Sequence, residues 1–447
     1  MSPEMNRREA IVLGAASLAS LSFLGGADDN AIPPIVKTHD EMLEQMLSAQ
    51  IVDAQNRWCG SIPDDSDLHH CTAAARLLRD ASAAYFHPQS KFHADKGLFD
   101  RMKLAADFLR RSQNGEGNID LLTTNFNSPP DTAFTVHDAA AAAALAQMHG
   151  DKDVLSLLEE FLRRAGQGLT GGGVHTPNHR WAVCAALAQI NALFPDTRYV
   201  DRIDQWLAEG IDIDEEGQYT ERSTTGYNAV VDKALVIAAH KLNRPELLDP
   251  VRKNLDAMVY LLHPNGEVVT EISSRQDLNT RGTMGGYWFP LRYMAIRDGN
   301  GVYASMLAPL EPGHCSLATL MEYPDLQKDL PAPAPIPEDY EKDYSLAGIT
   351  RIRRGKTSAT ILHKGNSRWI TLRRGDAIIN AVRFACPFFG KGQFVPASFE
   401  KRDGGFYFTQ RLGGRYLQPI TDPALLPVRN DAWSGLTTKR KMTQICT

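Results

Sequence analysis

From about residue 38 to 323, apolar side chains recur at every third or fourth position, in runs broken by Gly, Pro, Asn and Asp. That spacing puts each run's apolar residues on one helical face and predicts a long all-α region. The helix starts themselves recur. One begins near Asp131 after Ser-Pro-Pro, one near Pro177 after His-Thr and one near Ser223 after Glu-Arg, at steps of 46 residues. A further step reaches residue 269, beside the polar stretch 271–281. A period of this length holds one helical hairpin. Each boundary carries its own polar set, which simple stacking does not require. The pattern therefore predicts a mainly α fold, an (α/α) toroid of helical hairpins whose inner helices turn their N-termini toward one cleft. Unpaired N–H groups and helix dipoles there favour an anionic ligand.

After Tyr323 the pattern changes. Residues 324–344 read as a Pro-rich, charged linker. From residue 345 to 447, short segments such as GITRIRR, SATILHKG and SRWITLRR, rich in Ile, Thr and Trp and separated by Gly and Asn, predict a small antiparallel β-sheet domain. The final TTKRKMTQICT shows no closing strand pattern, so the sheet is expected to be shortened.

Composition narrows the function classes. Hydrophobic residues make up 43% and charged residues 23% of the 447, enough for a large core in the toroid, here bounded at residues 28–323. Lys and Arg total 48 against 53 Asp and Glu, a formal charge of −5. That excludes a generic polyanion-coating surface, so no nucleic-acid partner is expected and any anion site must be a local cluster. Arg7-Arg8 precede an uncharged run from Ala10 to Gly26, too short for a membrane span. Residues 1–27 read as a secretory signal of twin-arginine type, and the mature chain is expected to be periplasmic or secreted, with no membrane attachment. Six cysteines are too few for a disulfide framework, although Cys59 and Cys71 could pair in an oxidising compartment. No CxxC or HExxH spacing occurs, and neither a metal nor a cofactor is expected.

Four polar clusters fall in phase with the period. The first holds Asn125, Asn127 and Asp131 next to Phe126, a surface on which a sugar could stack, with Ser128 as a helix cap. The second is Asn178-His179-Arg180-Trp181 directly after Pro177. The third, Glu221-Arg222-Ser223-Thr224-Thr225-Gly226-Tyr227, places Tyr227 one turn above an apolar stripe. The fourth contains Arg275, Arg281 and Tyr287. Asn, His, Tyr and Arg without a metal motif suit removal of the proton α to a uronate carboxylate. The carboxylate must be neutralised as enolate-like charge develops, a task for Asn178 and His179 with Arg222 or Arg275. A tyrosine with cations nearby can take that proton and return it to the departing oxygen, and Tyr227 is the candidate. Asn125, Asn127, Asp131, Arg180, Trp181, Glu221, Arg222, Arg275, Arg281 and Tyr287 are expected to bind substrate.

The NHRW segment, the ERSTTGYN segment and the C-terminal GNSRW, RRGDA and VRFACPFFGKGQF stretches resemble the heparinase II/III-like polysaccharide lyases. The resemblance implies an (α/α) toroid joined to an antiparallel sheet, an acidic polysaccharide as substrate, a tyrosine acid/base at Tyr227 and carboxylate neutralisation by Asn178 or His179. Members of that family usually carry a second functional histidine in the sheet. Here His363 is the only histidine of that region, in a context that does not match. Two other readings stand beside this one: a glycoside hydrolase on the same toroid using Asp131 and Glu221 as a carboxylate pair, and a non-catalytic glycan-binding protein.

Overall fold

Helices whose every side is apolar alternate along the chain with helices that have one apolar stripe, and this alternation builds two concentric layers. The computed structural model describes residues 33–419 and 436–446, apart from 312, 364 and 389. The export signal expected at 1–27 lies outside these residues. Twelve α-helices occur among them: α1 (Pro34–Ala49), α2 (Cys71–Phe86), α3 (Lys96–Ser112), α4 (Pro129–Met148), α5 (Lys152–Gly171), α6 (Pro177–Leu193), α7 (Thr197–Ala208), α8 (Tyr227–Leu242), α9 (Leu248–Met258), α10 (Trp288–Asp298), α11 (Gly301–Leu307) and α12 (Leu317–Glu322).

The even-numbered helices from α2 to α10 pack side by side as the inner layer. In α6 every residue from Trp181 to Ile190 is buried, as expected of a helix surrounded by protein. In α4 the run from Ala139 to Ala146 lets neighbouring backbones approach closely. The outer α5 buries only Val154, Leu158, Phe161, Leu162, Ala165 and Leu169 along with two glycines, a single stripe at helical spacing. Caps help fix the register. Asp95, Asp151 and Asp196 cap the outer helices α3, α5 and α7, while Pro129 and Pro177 open α4 and α6, where the missing N–H costs nothing. The short α12 returns against α2 and α4, and Glu322 on it pairs with Lys241 in the last turn of α8 at 2.8 Å. It therefore sits at the end of the ring opposite the inner N-termini.

The helices α4, α6 and α8 start at Pro129, Pro177 and Tyr227, so the observed steps are 48 and 50 residues rather than a uniform 46. The period then lapses. Between short 3-10 turns at 259–261 and 285–287 the chain makes a non-helical excursion, and α10 begins only at Trp288. A two-stranded hairpin, β1 (Ile119–Leu121) with β2 (Asn125–Ser128), leads into α4.

The remaining strands are antiparallel. β3 (Asp339–Tyr344), β4 (Ile349–Arg354), β5 (Thr357–Leu362), β6 (Ile370–Arg374) and β7 (Ala377–Ile379) form a five-stranded meander. β8 (Ala385–Phe388) pairs with β9 (Lys391–Gln393), and β10 (Ser398–Arg402), β11 (Gly405–Pro419) and β12 (Leu436–Cys446) form a third sheet. Two expectations need correction. The stretch assigned to the linker contains β3, whose Tyr340, Lys342 and Tyr344 alternate inward with period two despite the charges between them. The C-terminal segment expected to lack a closing strand is β12.

The sheet meets the toroid through buried polar contacts. The Tyr344 and Tyr340 hydroxyls donate to the carbonyls of Ala257 and Tyr260, each at 3.0 Å, and the fully buried Arg351 donates to Tyr260 O at 3.2 Å. Glu267 joins Arg373 of β6 at 2.9 Å. Cys59 and Cys71 are both buried free thiols, so the pairing considered for them does not form.

Candidate functional site

The starts of α4, α6 and α8 converge. Ser128 caps α4, accepting the Asp131 N–H at 3.3 Å, and its hydroxyl donates to the Asp131 carboxylate. Asn125 donates to Ser128 Oγ at 3.0 Å and reaches His175 at 3.5 Å. On α6, His179 contacts Phe134 edge-on at 6.0 Å and His175 at 6.4 Å. Burial holds its pKa below the usual histidine value. The field of Asp131 opposes that shift, and those of His175 and Arg275 add to it. These partners come from three separate stretches of the chain.

On α8, the Tyr227 N–H donates to Ser223 Oγ at 3.0 Å, so Ser223 caps the helix. A Cβ on Gly226 would lie 3.1 Å from that hydroxyl, which makes the glycine a space for the cap rather than for a ligand. The half-exposed phenol donates to Gln276 at 3.3 Å, and the Arg275 guanidinium lies over its ring at 5.1 Å. Arg275 in turn forms an ion pair with Glu221 at 3.3 Å. The other Glu221 oxygen accepts from the Asn178 side chain at 2.5 Å and from its backbone N–H at 3.3 Å. Ser274 donates to the Glu221 carbonyl through both N–H, at 3.1 Å, and hydroxyl, at 2.9 Å. Glu221 thus ties the start of α6, the loop before α8 and the loop at 273–277 together.

The expected residues divide sharply. Tyr227, His179, Asp131, Asn125, Glu221 and Arg275 come together. Asn178 is also there, but it is fully buried with its amide held by Glu221 and Thr176, so it supports the site from behind instead of facing a substrate. Trp181 is fully buried and donates to Asp212 at 2.8 Å; on an inner helix enclosed on all sides it is core, not a sugar platform. Arg180 pairs with Glu209 at 2.6 Å and Asp212 at 3.5 Å. Arg222 sits at φ 48° and pairs with Asp214 at 3.5 Å. Arg281 bonds Glu267 at the junction with the sheet, and Tyr287 is buried with its hydroxyl on the Thr224 carbonyl at 2.9 Å. Asn127, at φ 50°, anchors the hairpin through Asn114, Asn118 and Glu116 and exposes its neighbour Phe126. Gln276, a neighbour of Arg275 in the fourth polar cluster, and His175 also belong to the site, although neither was among the residues expected to bind substrate. Among the described residues no group of three or more His, Cys, Asp or Glu is placed to hold a metal ion, and His363 instead stacks on Phe399 at 4.0 Å.

No family model and no curated protein sequence matches this chain. Solved structures do. A Paenibacillus xanthan lyase superposes with a TM-score of 0.55 at 12% identity, over 78% of this chain and 36% of that one. A mutant of Streptomyces coelicolor chondroitin AC lyase gives 0.53 at 14% identity, over 79% of this chain and 56% of that one. The same lyase in complex with chondroitin sulphate gives 0.52 at 16% identity, over 78% and 52%. The chain therefore has the fold of the toroidal polysaccharide lyases and spans about a third to a half of the length of these neighbours.

Proposed function

We propose that this protein is a lyase that cleaves a uronate-containing acidic polysaccharide by β-elimination. The observation that carries the reading is the meeting of a phenol, a guanidinium and an imidazole, Tyr227, Arg275 and His179, over the starts of two adjacent inner helices. Removing the C5 proton of a uronate adds negative charge beside a carboxylate that is already charged. Arg275 supplies the opposing charge, and His179, kept neutral by burial, donates an N–H to a carboxylate oxygen. Tyr227, acting as its phenolate beside the Arg275 cation, takes the C5 proton, the C4–O bond breaks as the C4–C5 double bond forms, and the phenol so formed returns the proton to the departing oxygen. One residue serving both steps requires both groups on one face of the sugar, a syn elimination. Glu221 and Asn178 act as positioning residues, holding Arg275 and the start of α6.

The hydrolase reading is less well supported. It needs Asp131 and Glu221 as a free acid and base, whereas Glu221 is engaged by Arg275 and Asn178 and Asp131 by the Ser128 cap. The polymers for which these neighbours are known, xanthan and chondroitin sulphate, are both acidic and support the substrate class. Replacing Tyr227 with Phe tests the assignment. Release of the conjugated uronate, followed by its ultraviolet absorbance, should vanish while calorimetry still detects polysaccharide binding. Turnover that survives the substitution would overturn it.

A further inference from the structure

A cavity of about 300 Å³ lies between the start of α2 and the β1–β2 hairpin, with Arg57, Trp58, His69, Arg111, Asp120 and Leu122 in its wall. It opens at the same end of the inner layer as the Tyr227 cluster. Cys71, the first residue of α2, also lines it, and the hairpin that supplies Asp120 ends at Ser128, the cap of α4.

The wall is rigidly built. Arg111 donates to the carbonyls of Arg57 at 3.0 Å and Cys59 at 2.8 Å, and its Nε to Asp107 at 2.6 Å. Gly60, at φ 95°, presses so closely on α3 that a Cβ would lie 1.9 Å from the Leu104 carbonyl oxygen. His69 is held by Ser61 at 2.8 Å and stacks on Trp58 at 4.5 Å. The Arg57 guanidinium lies over the same indole at 4.2 Å. Arg57 is exposed, and among the described residues its guanidinium has no hydrogen bond and no ion pair, so its donors are free for a ligand while its plane rests on the indole. Asp120 spends one oxygen on the Asn127 N–H at 2.7 Å and keeps the other.

A planar fork of donors matches a carboxylate or sulfate group, and a carboxylate oxygen beside it suits a sugar hydroxyl. From this we infer that the cavity is a remote glycan subsite that takes one acidic sugar residue of a chain whose scissile bond lies at Tyr227. The location of that bond rests on the lyase reading; the binding at Arg57 does not. Neighbouring inner helices pack roughly 8–10 Å apart, and α2 stands three places from α8. A ligand that engages both ends must therefore span several sugar units, and short fragments forgo the Arg57 contact.

Size-fractionated chondroitin sulphate and alginate oligosaccharides, titrated calorimetrically into the Tyr227→Phe protein, test this without turnover. Affinity should rise with oligosaccharide length, and Arg57→Ala should cut that rise by about tenfold while thermal unfolding stays near that of the parent. Arg57→Glu, which reverses the charge, should remove the rise entirely. An equal gain with length in Arg57→Ala, or no gain with length in the parent, overturns the subsite. The lyase reading fails separately, if the wild-type protein yields no unsaturated product from oligosaccharides that bind through Arg57.

Discussion

Glu221→Gln is the substitution that asks most of the proposed site. The side chain is 7% exposed and serves two partners, Asn178 at 2.5 Å and Arg275 at 3.3 Å. Glutamine has the same shape but one acceptor and one donor group. If its oxygen keeps Asn178, its NH2 faces the Arg275 guanidinium; if its oxygen turns to Arg275, its NH2 faces the Asn178 amide. Losing a charge-assisted bond costs about 1.5–3 kcal/mol, and breaking a fully buried pair costs about 3–5 kcal/mol. Arg275 is 30% exposed and recovers part of its hydration, so about 2 kcal/mol is expected. Were that cost expressed wholly in Arg275 misplacement, kcat/KM would fall about thirtyfold, at about 1.4 kcal/mol per decade. Initial rates of unsaturated product and thermal unfolding should therefore move together: a ten- to hundredfold slower enzyme that unfolds a few degrees lower. Wild-type kinetics in Glu221→Gln would refute the positioning role. Complete loss of turnover with unchanged stability would instead assign Glu221 a direct part in the chemistry.

Other outcomes follow from the same contacts. Trp181→Phe should lower stability by about 1–3 kcal/mol through the lost Asp212 bond and core volume, and leave KM unchanged, since Trp181 lies in the core and not in the cleft. Glu267→Gln should cost about 3 kcal/mol in chemical denaturation, because Arg373 at 7% exposure loses its carboxylate, while the 63%-exposed Arg281 contributes little. His263, bonded to Ser358 at 2.8 Å, has its pKa pushed down to about 2 by burial and by Arg351, Arg373 and Arg353. The folded value lies below the roughly 6.5 of an unfolded histidine, so its contribution is complete above that pH. It declines by up to about 1.4 kcal/mol per unit as the pH falls below it, and His263→Gln should flatten this slope in denaturant titrations.

The toroid was readable because its inner helices are apolar throughout and start at Pro or polar caps, a local signal in α4 and α6. Tyr227 and His179 stood out for the same reason, as polar residues one turn above apolar stripes, and Asp131 as one of several polar groups at a capped helix start. Adjacent residues at a helix start point in different directions, and which direction meets the cleft depends on neighbouring helices. Asn178 and His179 show this: one is sealed behind Glu221, the other faces Phe134 and His175. Trp181 and Tyr287 look like sugar platforms in one dimension and are core in three. Glu267 joins Arg373 across 106 positions, a separation that no local pattern reports. β3 was hidden because its inward Tyr and Lys are interleaved with Asp and Glu.

The most direct measurement is a screen of the purified protein against a panel of uronate polymers, following ultraviolet absorbance and new reducing ends in parallel. At least one polymer should give both signals in equal molar amounts, because each elimination creates one conjugated double bond and one reducing end. Reducing ends without absorbance would mean hydrolysis and would contradict the account.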